Sequence, residues 1–165
     1  ADMSAMNPNA GDLNNDNGDG TYGVDLNRNF GYEWGYDDFG SSPYTEEPTY
    51  RGPAAFSEPE TQSVRDFTES REFIVSVYYH SYSDLIIWPW GYESIYTPDN
   101  DIFAAMGDTV SGMNGYEPGP IWILYPVNGN TDDWNYGQQT TKNKIFAVTL
   151  EVGDYNDNFW PPSNR

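Results

Sequence analysis

Two stretches of the chain are dense in β-branched and aromatic residues: "EFIVSVYYHSY" at 72–82 and "KIFAVTLEV" at 144–152. Apolar runs this continuous predict strands buried on both faces of a sheet. Ahead of the first lies "FSEPETQSVRDFTESR", with the markers of a helix start. Ser57 is placed to cap it, Pro59 falls in the first turn, Glu60 would close a capping box, and the helix should end near Arg71. Between the strands, "DNDIFAAMGDTVSGMNG" predicts a second helix, capped by Asp99 or Asn100 and ended near Gly115. "TYGVDLN" and "IWILYP" have the look of short strands. The alternation of helix and buried strand predicts an α/β fold, a mixed, mostly parallel sheet flanked by helices.

The rest of the chain is irregular. Residues 1–20, "ADMSAMNPNAGDLNNDNGDG", are nearly all turn formers and read as a loop, or as a start left by processing or cloning. Residues 28–55 show neither helical nor strand period, carry many Gly and Pro, and hold seven Phe, Tyr or Trp. A loop of that length inside a domain is usually functional or packed down by its own aromatics. With 165 residues and no internal repeat, a single domain is expected.

Charge narrows the functional classes. Seven Lys and Arg stand against 26 Asp and Glu, a net charge of −19. Such a chain is repelled by phosphate backbones and anionic lipid, which argues against nucleic-acid partners. No run of eighteen apolar residues occurs, so no membrane span is expected. Cysteine is absent, which removes disulfides and thiolate metal sites. In the acidic start, Asp12, Asn14 and Asp16 alternate as at the head of a calcium loop. The glycine comes one place late and no glutamate closes the loop, so a plain Asn/Gly turn competes with calcium binding.

An apolar strand that ends in a polar residue delivers it to the carboxyl edge of the sheet, where open α/β folds bind ligands. His80, the one histidine of the chain, ends the first strand, and Glu151 ends the second. Alone, His80 reads at least as well as a hydrogen-bonded structural residue, and Glu151 reads better as a surface or ion-paired carboxylate; together they suggest a site. "DLNRNF" at 25–30 sets Arg28 between two asparagines, a good receptor for a carboxylate, though an internal ion pair is an equal alternative.

Five blocks then occur in order: "GVDLNRNFGYEWG", "YRGPAAFSEPET", "YYHSYSDLIIWPWGY", "LYPVNGNTDDWNYG" and "VTLEVGD". They resemble the signature blocks of zinc metallocarboxypeptidases of the carboxypeptidase A/B/T type, over roughly residues 18–162. The resemblance implies a partial zinc-carboxypeptidase fold and a secreted, zinc-dependent exopeptidase acting on peptide or protein C-termini. It implies His80 as a zinc ligand and Glu151 as general base and acid. Asn27 and Arg28 would grip the terminal carboxylate, and Tyr125 would close over it from a mobile loop. Asp132 would line the pocket for the terminal side chain, where an acid favours Lys or Arg. Asp25 would hydrogen-bond a zinc-ligating histidine, and Ser81 and Tyr82 would line the path of the upstream residues.

The pattern also breaks. The family takes two zinc ligands from a His-x-x-Glu motif upstream of "DLNRNF", and no second histidine exists here. Nor does an arginine precede that block. The expectation is therefore a C-terminal portion of a catalytic domain, with an incomplete zinc site, inactive by itself. Exposed strand edges would invite pairing with another copy. A catalytically dead carboxylate-binding module, or a calcium-binding one, is the alternative.

Overall fold

The computed structural model describes residues 23–156 and 159. Four strands, β1 (Val75–His80), β2 (Leu85–Trp88), β3 (Glu117–Pro120) and β4 (Phe146–Glu151), form one sheet in the order β1-β4-β2-β3. Three α-helices accompany it: α1 (Pro59–Glu69), α2 (Asn100–Asn114) and α3 (Thr131–Gly137). β1 pairs with β4 in parallel and β2 with β3 in parallel, while β2 and β4 run antiparallel. The expected mixed, mostly parallel sheet is what the chain forms.

The two apolar runs become β4 and β1, but their burial differs. β4 lies between two neighbours and is largely buried, whereas β1 alternates between half-buried and exposed positions. Val75, Val77 and Tyr79 are exposed, Tyr79 to 71%. One face of β1 is thus exposed, which corrects the expectation of burial on both faces, and β1 is also an edge strand among the described residues. β3 forms the other edge, and its Pro118 and Pro120 suit a strand with one unpaired side. "IWILYP" is not a strand: Ile121–Ile123 wind into a single 3-10 turn.

Helix boundaries follow their local chemistry. α1 begins at Pro59, where the missing N–H is no loss, and its cap is Glu58 rather than Ser57. The Ser57 hydroxyl is used elsewhere: it accepts from the Asn29 Nδ2 and donates to Glu58. The helix stops at Glu69, two residues before Arg71. α2 ends at Gly115, whose φ of 77° is the left-handed conformation that glycine takes without a Cβ clash.

Strand alternation sorts the core from the site. Phe146 and Val148 of β4 turn toward α2, where Phe103, with 0% exposure, meets Trp88, Tyr136 and Phe146 at ring separations of 5.2–6.3 Å. Thr149 and Glu151 alternate out of that cluster. The irregular segment 28–55 is packed down by its aromatics, with Tyr32 stacked on Trp90 and Phe30 edge-on to Phe56. Asn29, fully buried, donates to the carbonyls of Arg51 and Ala54. Truncating the centre of the core, Phe103→Ala, should cost about 3–5 kcal/mol. A urea midpoint unchanged by that substitution would contradict this packing.

Candidate active site

The parallel register of β1 and β4 ends with His80 opposite Glu151. His80 Nδ1 lies 3.7 Å from Glu151 Oε1, with the carboxylate buried and the ring half-buried. The Glu151 carboxylate raises the His80 pKa above its ordinary value, against burial, which lowers it. The two strand-end residues thus stand together at one sheet edge, as their positions in the sequence suggested.

Asn27 and Arg28 sit on a 3-10 turn, Leu26–Arg28. Asp25 caps this turn: its carboxylate accepts from the Asn27 backbone N–H at 2.9 Å and pairs with Arg28 Nη1 at 3.7 Å. Arg28 is 7% exposed, and its Nε is buried without a partner among the described residues. A buried guanidinium with an unmatched donor is primed for an anion.

The loop after the 3-10 turn at 121–123 has a fixed base and a free arm. Val127 N–H donates to the Gly91 carbonyl, and Phe30 N–H donates to the Gly129 carbonyl. Asn128, fully buried, donates to the Asp37 carboxylate and accepts from the Ser41 hydroxyl. A Cβ on Gly129 would fall 2.4 Å from the Arg28 carbonyl oxygen, so a side chain there would separate the two segments. Tyr125, four residues before Gly129, is 49% exposed.

Asp132 and Asp133 are neighbours with different tasks. Asp133 accepts from the backbone N–H groups of Gly91 and Tyr92, tying α3 to the turn after β2. Asp132 accepts from the Thr149 hydroxyl through Oδ2, and its Oδ1 is buried with no partner among the described residues. Burial pushes both carboxyls up, Asp132 to about 6 and Asp133 to about 7.

One cavity brings together Asn27, Arg28, His80, Tyr125, Asp132 and Glu151. Ile87, Ile121, Leu124 and Val127 supply its apolar wall. Three residues singled out in the sequence lie outside this lining. Asp25 acts on the turn behind it, Tyr82 packs on Tyr155 and Phe159, and Ser81 follows His80 just past the end of β1. Thr149 was missed, although its place two residues before Glu151 on one strand face was legible. The acidic stretch with Asp12, Asn14 and Asp16 lies outside the described residues, and nothing among the described residues supports calcium.

A family model described as zinc carboxypeptidase matches residues 4–165. The chain belongs to the zinc carboxypeptidase family. It is 34% identical over 156 residues to zinc carboxypeptidase A 1 of Anopheles gambiae, an alignment covering 87% of this chain and 35% of that protein. It is 35% identical over 157 residues to carboxypeptidase B of Astacus astacus, covering 88% of this chain and 50% of that protein. Carboxypeptidase A from Helicoverpa armigera has a similar structure, with a TM-score of 0.72 and 26% identity over 84% of this chain and 35% of that one. Bovine thrombin-activatable fibrinolysis inhibitor matches with a TM-score of 0.73 and 25% identity over 86% of this chain and 50% of that one. The chain therefore spans a third to a half of the length of these relatives.

The family name implies zinc, and the donors among the described residues do not complete a site for it. Catalytic zinc takes three protein ligands. Among the described residues no group of three His, Cys, Asp or Glu side chains could hold a metal ion, and His80 is the chain's one imidazole.

The buried carboxyls set a pH dependence. A carboxyl whose pKa is higher folded than unfolded holds its proton longer in the folded state, so stability falls as pH rises from near 3.8 through about 6 and 7. The melting temperature should decline between about pH 4 and about pH 7, and less steeply in Asp132→Asn. Equal slopes for the two proteins would contradict the burial of an ionisable Asp132.

Proposed function

We propose that this chain supplies the substrate-recognition and acid/base half of a secreted zinc carboxypeptidase that removes C-terminal residues, preferring basic ones. The convergence of Asn27, Arg28, Tyr125, Asp132, His80 and Glu151 on one cavity carries this reading. Membership of the family supports the activity, and no described helix is long and apolar enough to cross a membrane.

In this reading Arg28 and Asn27 take the terminal carboxylate, a charge-assisted contact of the kind guanidinium groups make best. Tyr125, on its exposed arm, closes over the bound end. The apolar wall holds the stem of a Lys or Arg side chain, and the unpaired Asp132 Oδ1 accepts from its cationic head. Asp133 is unsuited to that role, since its oxygens accept from the backbone amides of Gly91 and Tyr92. Glu151 takes a proton from the attacking water and returns it to the leaving amine. His80 would contribute one zinc ligand, and the described residues do not supply the two others that a catalytic zinc takes.

The incomplete donor set favours a second reading, a carboxylate-binding module without catalysis. Activity separates the two. In a polypeptide joining this chain to a His-x-x-Glu segment, peptides ending in Lys or Arg should be hydrolysed, and Glu151→Gln should lower kcat by about 10²–10⁴. Asp132→Ile should turn selectivity from basic to apolar ends. Loss of neither activity nor selectivity would refute these roles. Absence of any hydrolysis alongside retained peptide binding would establish the module.

A further inference from the structure

Asn27 reaches the cavity with its carboxamide already oriented. Its Oδ1 accepts from the Thr131 backbone N–H at 3.2 Å and from the Thr131 hydroxyl at 2.9 Å. A backbone N–H can only donate, so the atom facing Thr131 must be the oxygen. Nδ2 therefore points the other way, and it has no acceptor among the described residues. Beside it, the buried Arg28 guanidinium presents its own donors to the same cavity. Reversing the amide would set an oxygen against an incoming anion and turn an attraction into a repulsion.

We infer that Thr131 is a positioning residue for terminal-carboxylate recognition, acting through Asn27 by holding the amide with its donor toward the substrate. The inference rests on the carboxypeptidase reading for the identity of the ligand. Thr131 suits the task because it opens α3, where a backbone N–H has no partner within the helix. The preceding residue, Asn130, fixes the same turn by accepting from Asp133 N–H at 2.8 Å. Thr131 is itself buried, so water competes little for its two donors. One helical turn thus orients the carboxylate receptor through Thr131 and carries the pocket acid, Asp132, at the next position.

A graded series tests this. Thr131→Ser keeps both donors and Thr131→Val keeps the N–H alone. Thr131→Pro removes both at the first helical position, where proline is tolerated, and Asn130 has the extended backbone (φ −85°, ψ 163°) that precedes proline well. The readout is the affinity of the chain for the tripeptide Ala-Ala-Lys relative to the same peptide ending in a carboxamide, followed by NMR titration. The unsubstituted chain and Thr131→Ser should favour the free acid to the same degree. Thr131→Val should lose about three- to tenfold of that ratio, and Thr131→Pro more. A merely structural role would weaken both peptides alike and leave the ratio unchanged, which would overturn the inference. Should Thr131→Pro fail to fold, the Val and Ser pair decides. An unsubstituted chain that does not distinguish acid from amide would overturn the carboxypeptidase reading together with this inference.

Discussion

The parallel pairing of β1 with β4 is the constraint from which the candidate site follows. Six matched positions bring His80 and Glu151 to the same sheet edge, one strand spacing apart. Because side chains alternate, Glu151 brings Thr149 with it onto the same face. The antiparallel neighbour β2 then places Ile87 opposite Thr149, adding an apolar wall next to the polar residues. A shift of one residue in this register would send Glu151 and Thr149 toward α2 and its aromatic core.

The seven residues of α3 join the remaining parts. Successive helical residues point about 100° apart, so three neighbours can serve three directions. Thr131 reaches back to Asn27, Asp132 faces Thr149 and the cavity, and Asp133 holds the turn after β2. A helix this short has little stability of its own. It is fixed by these contacts, by the Asn130 cap and by the buried Trp134 and Tyr136. Contacts to the candidate site and to the surrounding fold therefore come from consecutive residues of one short helix.

Much of this was legible in the sequence, and the reasons for the rest are local. β4, α1 and α2 could be read because each has a strong apolar period or a clear start signal. Burial of β1 was misjudged because an apolar run does not show whether both faces of a strand are covered. β3, "EPGP", has no strand signal at all; its place comes from pairing with β2. α3 escaped because seven residues show barely two turns of period. Ser57 looked like a helix cap until Asn29, twenty-eight residues earlier, was seen to engage its hydroxyl. In the site, His80 and Glu151 were visible as polar ends of apolar strands. The orientation of Asn27 was not, since it depends on a hydrogen bond across 104 residues.

Recognition and acid/base roles are proposed for this chain, whereas its described residues offer no group of three side chains that could hold zinc. Zinc titration of the purified chain by calorimetry, with metal analysis after dialysis, tests this most directly. The account predicts that the dialysed protein retains far less than one zinc per chain, and that what weak binding there is disappears in His80→Ala. One tightly held zinc per chain would contradict it.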